Sequence, residues 1–300
     1  MNRDTFIISV FVMVSEHLQK LVTRFGPVRR GGFAPALSDA EVLTIEICGE
    51  FFKLHTDKDI YGYFRAHYQH FFPALRDRPG FVRQAANLQH WKQALQQHLV
   101  QVSGADLDPV QAIDTLPLPV CTYTRARRDR CFPTEAGYSP CAAKKLDYYG
   151  FKLGLRIARN GMITHCPLLA ARPHDVNHLG ALVEGFSGLV PADKGFLDEY
   201  QQNLWAAREG AQILVPARRN MKATDDLPSW LQRAGRRWRK RIETVNSQLT
   251  ERFGIARTRA RDLWHYQHRL IRKILAHTVV IFLNQTLGRP PLRFADLVCD

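Results

Sequence analysis

Three carboxylates, Asp114, Asp193 and Glu243, stand 79 and 50 positions apart in a chain of 300 residues. Asp114 lies in the apolar run VQAIDTLPLPVC. A lone ionised carboxylate there is costly unless something pairs with it. Asp193 closes the run GLVPAD, just before Lys194-Gly195. Strand ends and the turns after them are where open sheets gather ligands. Glu243 sits among cations in RRWRKRIETVNSQLTERF. Trp238, Ile242, Val245, Leu249 and Phe253 form an apolar helical stripe there. Glu243 lies about 100° around from Ile242, at the edge of that buried face. Two aspartates and a glutamate supply the hard oxygen ligands that Mg²⁺ prefers. Two such ions, about 3.5–4 Å apart, clamp the attacking and leaving oxygens of an in-line phosphoryl displacement.

Each carboxylate also has an ordinary reading. Glu243 can pair with Arg239 and Lys240 on its side of the helix, a surface contact worth on the order of tenths of a kcal/mol. Asp193-Lys194-Gly195 can be a turn. Asp114 can accept a hydrogen bond from a neighbouring backbone group. Coincidence is a poorer account of the three together, in the order strand, strand end, helix. That order is the layout of a ribonuclease-H-like nuclease core.

The elements that must position these residues divide near SGADLDP (Ser103–Pro109). Residues 1–105 read as helical. A first helix runs from about Asp4 to Arg24 and stops at Gly26-Pro27. A second opens with the capping box Ser38–Glu41. Residues 106–300 read as α/β with C-terminal helices. VQAIDTLPLPVC is a buried strand, and the basic stretch after it is irregular. FKLGLRIARN alternates as a half-buried strand. Asn160-Gly161 predicts a two-residue hairpin turn into the returning strand MITHCPLLAA. DVNHLGALVEGF reads as a helix with Asp175 as its cap, although Asp175 can also serve near a metal site. GLVPAD and AQILVPAR are further strands, with the helix LDEYQQNLWAAREG between them. The expectation is a mixed sheet flanked by helices and preceded by an all-helical N-terminal region.

Charge points to the partner. Forty-two Lys+Arg against 28 Asp+Glu leave a net charge of +14. Such a chain attracts polyanions, nucleic acid before anionic membrane. The basic groups at 125–130, 218–222 and 236–241 are candidate phosphate contacts. Arg125, Arg127, Arg128, Lys194, Arg236, Arg237, Arg239 and Lys240 are the residues expected to bind DNA. They carry no base code, since phosphate contacts position and base contacts specify. The apolar run Phe6–Val14 is far shorter than the roughly 20 residues of a spanning helix. It reads as the buried face of the first helix, and no membrane partner is expected.

The six cysteines are scattered with no CxxC pair, so a disulfide framework is not expected and a reducing cytoplasm is. Cys121, Cys131 and Cys141 recur at intervals of ten, and His165 adjoins Cys166, but a zinc knuckle needs closer pairs. His174 and His178 have zinc-hydrolase spacing, yet Asp175 stands where the glutamate belongs. No zinc is expected. Trp238 reads as core rather than as a base-stacking platform.

The stretches IDTLPLPVC, YYGFKLGLRI, HDVNHL, ADKGF, RRWRKRIETVNSQLTERFGI and KILAHTVVIFLNQ span most of residues 110–285. In their order and spacing the chain resembles the Asp-Asp-Glu transposases of bacterial insertion sequences, and among them the insertion sequence 982 family. The resemblance implies that Asp114, Asp193 and Glu243 are catalytic and bind Mg²⁺, with Mn²⁺ able to substitute. It implies cleavage at the element's ends and attack of the freed 3′-hydroxyl on target DNA. No covalent protein–DNA intermediate is needed, and catalysis is mostly positioning and electrostatics. Double-stranded DNA is the implied partner, as terminal inverted repeats and target, with residues 1–105 recognising the ends. A homodimer on DNA, at the nucleoid in the bacterial cytoplasm, is expected. The 50-residue gap leaves no room for a large insertion domain before Glu243. The chain departs from related transposases at Thr250, where a basic residue is common, at Phe196, where a tyrosine is, and at Thr115, where a serine is. The rival readings are an inactive DNA-binding derivative, a metal-dependent nuclease without strand transfer, and a zinc enzyme using His174, His178 and a cysteine.

Overall fold

The computed structural model describes residues 1–29, 31, 34–128, 131–141, 146–216 and 229–299. They form two compact units, Met1–Ser103 with Gln248–Asp300, and Gly104–Ser247.

The first unit opens with helices α1 (Arg3–Phe25), α2 (Asp39–Phe51), α3 (Asp57–His67), α4 (Arg78–Asn87) and α5 (Gln89–Val102). Side-chain caps set their starts: Asn2, Ser38, Thr56 and Asp77 each accept from an orphan backbone N–H of α1 to α4. Both halves of the Ser38–Glu41 capping box are made. Helix α1 ends at Gly26, whose φ of 90° lies in the region glycine tolerates. Its Phe6, Ile7, Val10, Met13, Val14, Leu18 and Leu21 are buried, the core face expected of a first helix. Among the described residues α1 is also the one helix long and apolar enough to cross a membrane by length and composition.

The second unit contains β1 (Ala112–Thr122), α6 (Tyr123–Ala126), β2 (Gly137–Cys141), β3 (Leu146–Ile157), β4 (Ile163–His165), β5 (Leu168–Ala170), α7 (Leu179–Val183), β6 (Gly188–Pro191), α8 (Glu199–Glu209), β7 (Ala211–Leu214) and α9 (Ser229–Ser247). Strand β3 pairs antiparallel with β1, β2, β4 and β5. Strands β6 and β7 pair in parallel. A parallel bridge joins Val110 to Leu189, where Gln111 N–H donates to Leu189 O at 3.0 Å and Leu189 N–H to Pro109 O at 2.8 Å. Leu179, Leu182, Val183 and Phe186 from the α7 segment pack on Ile113, Val190, Phe196 and Ala211. Helix α9 packs on β1 and β6, burying Trp238, Ile242 and Val245. Trp238 is thus core, with the Arg241 guanidinium over its ring.

Several local expectations change. The β3–β4 loop has three residues, Arg159, Asn160 and Gly161, between Ala158 and Met162, which are joined by a hydrogen bond. Gly161, at φ 87°, takes the left-handed position of a turn with a bulge. The returning strand breaks into β4 and β5 around Pro167, which has no N–H for the ladder but accepts from Gly154 N–H at 2.9 Å. The segment read as irregular contributes β2, held by pairing with β3 that its own sequence does not announce. The polar side of β3 is not a solvent face. Arg156 is buried there, donating to the carbonyls of Leu182 and Glu184. Gly154 permits this close cover, since a Cβ on it would come within 2.7 Å of Leu182.

The helix expected behind Asp175 is a 3-10 turn (Asp175–His178) followed by the short α7. The N-cap is His174, and no side chain caps the turn. Asp175 therefore is not the cap it was expected to be.

The final helix, α10 (Leu263–Thr286), belongs to the first unit, where it packs on α5 and α2. Arg272 donates to Glu50 at 2.7 Å and to Asp57 at 2.6 Å. Lys273 donates to Glu50 and to Phe253 O, and Lys92 pairs with Glu46. Burial alone would raise the Glu50 and Asp57 carboxyls, but the surrounding cations win and hold both at about 2. These units are defined by packing.

Candidate active site

A parallel bridge sets the two aspartates on neighbouring chains. Val110 and Leu189 face each other on parallel chains, and Asp114 and Asp193 each lie four positions further on. Both chains run the same way from that bridge, and the charge of Asp193 reaches the Asp114 carboxyl. Asp114 is within β1. Asp193 is past the end of β6, opening the 3-10 turn Lys194–Phe196. Phe196 is buried in the core cluster that includes Val190 and Leu179.

Each carboxylate makes the ordinary contact its sequence allows. Thr115 N–H donates to Asp114 Oδ1 at 2.8 Å, Lys194 N–H to Asp193 Oδ1 at 2.7 Å, and Arg239 Nε to Glu243 Oε1 at 3.0 Å. Helix α9 adds two connections that local sequence does not imply. Arg239 Nη1 lies 3.5 Å from Asp193 Oδ1, and Asn246 Nδ2 donates to Asp114 Oδ2 at 2.7 Å. Arg239, Glu243 and Asn246 are four and three residues apart, hence on one side of the helix. The outer two hold the two aspartates, and Glu243 lies between them.

The environments differ. Burial drives the Asp114 carboxyl up to about 6. The Thr115 amide and Asn246 pull it back, and the charges of Asp193 and Asp175 push it further up. Asp193, Arg239 and Glu243 are about half exposed, so water screens their mutual attraction.

Among the described residues, no group of three or more His, Cys, Asp and Glu side chains forms a ready metal cluster. The guanidinium of Arg239 instead contacts both Asp193 and Glu243. The donor set nevertheless suits a divalent cation. It offers carboxylate oxygens alone, and Asp114 is crowded by negative charge that a cation would relieve. His174 is exposed whereas His178 is buried.

Asp175, by contrast, joins the periphery of the site. Its Oδ1 accepts from Thr115 Oγ1 at 2.9 Å and from Lys152 Nζ at 2.9 Å. Asn246 and Lys152 were not singled out from sequence as site residues. Asn246 sits beside Val245 of the apolar stripe, so helical position alone marks it as facing the sheet. Lys152 looked solvent-facing because the cover over that side of β3 comes from distant residues.

The candidate DNA contacts Arg236, Arg237, Arg239 and Lys240 are exposed on α9. Arg125, Arg127 and Arg128 are exposed on α6 and the turn after it, and Lys194 is exposed beside Asp193. The basic group at 218–222, and Arg130, lie outside the described residues.

A family model described as Transposase DDE domain matches residues 104–263, more than half of the chain, and this span holds all three carboxylates. Neither a curated protein nor a solved structure matches the chain. On the family match, supported by two aspartates on chains joined by a parallel bridge and a glutamate on the helix that contacts both, the chain belongs to the DDE-domain transposases.

Proposed function

We propose that this transposase cleaves phosphodiester bonds at the ends of an insertion sequence and joins the freed 3′-hydroxyl to target DNA, with Asp114, Asp193 and Glu243 as its metal ligands. One observation carries this reading: α9 presents Glu243 between Arg239, which reaches Asp193, and Asn246, which holds Asp114. The strand order supports a ribonuclease-H-like core, with β4 and β5 beside β3, β3 beside β1, β1 bridged to β6, and β6 beside β7.

Asp114, Asp193 and Glu243 would hold Mg²⁺ or Mn²⁺. When bound, a pair of such ions would supply a water nucleophile and stabilise the leaving oxygen. The chain's own residues position and neutralise. Asn246 and the Thr115 amide fix both oxygens of Asp114. Arg236, Arg237, Lys240, Lys194, Arg125, Arg127 and Arg128 hold phosphates along the DNA. Arg239 leaves the carboxylates for a phosphate when DNA and cation arrive. Membership of the insertion sequence 982 family, recognition of terminal inverted repeats by residues 1–105, catalysis by residues 106–300, a homodimer on DNA and action at the bacterial nucleoid complete the proposal.

The test is cleavage and strand transfer with duplexes carrying the element's ends, in Mg²⁺ and in Mn²⁺. Asp114→Asn, Asp193→Asn and Glu243→Gln should each abolish cleavage while the DNA remains bound. Binding by a wild-type chain that never cuts would identify an inactive derivative. Cutting without joining would identify a nuclease.

A further inference from the structure

We infer that Asp175 is a positioning residue that holds, through Thr115, the backbone carrying Asp114 beside the turn carrying Asp193. This rests on the proposed reading of those two aspartates as metal ligands.

Asp175 makes side-chain contacts in two directions and stands near a third segment. Its Oδ1 accepts the hydroxyl of Thr115 at 2.9 Å. The Thr115 amide in turn donates to Asp114 Oδ1 at 2.8 Å. Neighbouring residues of a strand point to opposite faces. Asp175 thus approaches from the side of β1 away from Asp114 and acts through Thr115. The same Oδ1 accepts from Lys152 Nζ at 2.9 Å, and that ammonium also donates to Pro173 O at 2.8 Å. Lys152 thereby ties Asp175 and the segment before it to β3. Asp175 also stands near the turn after Asp193, close enough that a Cβ on Gly195 would come within 3.5 Å of its Oδ2.

Two features separate this arrangement from an incidental surface pair. The Lys152 side chain is only 12% exposed and that of Asp175 34%, so the contact is shielded more than most surface ion pairs. Asp175 is also not the cap of its own turn, whose N-cap is His174. Its carboxylate is committed to Thr115 and Lys152, residues 60 and 23 positions away. The hydroxyl of Thr115, rather than its methyl group, is the donor in this contact.

The experiment measures Mn²⁺ binding to the full chain by calorimetry without DNA, beside thermal melts. Thr115→Val removes the hydroxyl at nearly constant shape, and Thr115→Ser keeps it. The expected result is binding weakened about tenfold or more by Thr115→Val and by Asp175→Ala, as for loss of a partner behind a metal ligand, with Thr115→Ser within about twofold of wild type. Should Asp175→Ala fail to fold, the valine and serine pair decides. Equal weakening in serine and valine variants overturns the inference. Wild-type binding in Thr115→Val overturns it as well, leaving the metal reading intact if Asp114→Asn loses Mn²⁺. Wild-type binding in Asp114→Asn removes the metal reading and this inference with it.

Discussion

Asn246 donates its side-chain amide to Asp114 Oδ2 at 2.7 Å, a contact between residues 132 positions apart. It ties α9 to β1 at the level of the acidic site and satisfies one oxygen of a carboxyl that burial disfavours in its charged form. Asn246→Ala should lower the cleavage rate about 10–100-fold, by analogy with other supports behind metal ligands, with little change in DNA affinity. It should also cost about 1 kcal/mol of stability, because a half-buried acceptor loses its partner. Single-turnover kinetics and denaturant melts check the two effects separately.

Asp114 carries a pH dependence of known sign. Its carboxyl is raised from 3.8 to about 6 in the folded chain. A raised carboxyl favours the fold fully below its unfolded value, and that contribution is lost as pH rises through the folded value. The cation-free chain should therefore lose stability, on the order of 1–2 kcal/mol after allowance for partial exposure, as pH rises from 3.8 through about 6. Melts of the wild type and of Asp114→Asn, which lacks the titrating carboxyl, test it: this fall should be absent from the variant. Mn²⁺ affinity of the wild type should fall below about pH 6, since ligation needs the ionised carboxylate.

Arg239 is shared by Asp193 and Glu243, yet all three are about half exposed. Its removal should change stability by less than about 0.5 kcal/mol, as at most surface positions. If it moves to a phosphate on DNA binding, Arg239→Ala should reduce the slope of log affinity against log salt by about 0.9. A wild-type salt slope in the variant would place Arg239 off the DNA.

The buried charges on α2, α3 and α10 predict acid lability in the helical unit. Glu50 and Asp57 are held at about 2, against ordinary values of 4.5 and 3.8. Their contribution is present above the ordinary values and is lost as pH falls from about 4.5 towards 2. Lys273→Met leaves Glu50 short of one cation and should cost about 3–5 kcal/mol, as breaking a buried pair does. Acid titration followed by circular dichroism and denaturant melts at pH 7 measure these effects.

Sequence by itself determined the features that depend on near neighbours. Helical periodicity marked α1 and the stripe of α9, the Ser38–Glu41 box marked the start of α2, and alternation marked β3. The same local signals placed Asp114 in a strand, Asp193 after one and Glu243 on a helix. They also left each acid with an ordinary local partner, and the structure contains those partners too.

Only the tertiary structure decided what the acids meet beyond them. Asn246 reaches Asp114, Arg239 is shared between Asp193 and Glu243, and Asp175 turns from capping to Thr115 and Lys152. The polar side of β3 is covered, and α10 joins helices that begin the chain. These contacts depend on strand register and helix packing. Both are set by shape and burial between segments far apart in the chain, and no local period of residues encodes those distances.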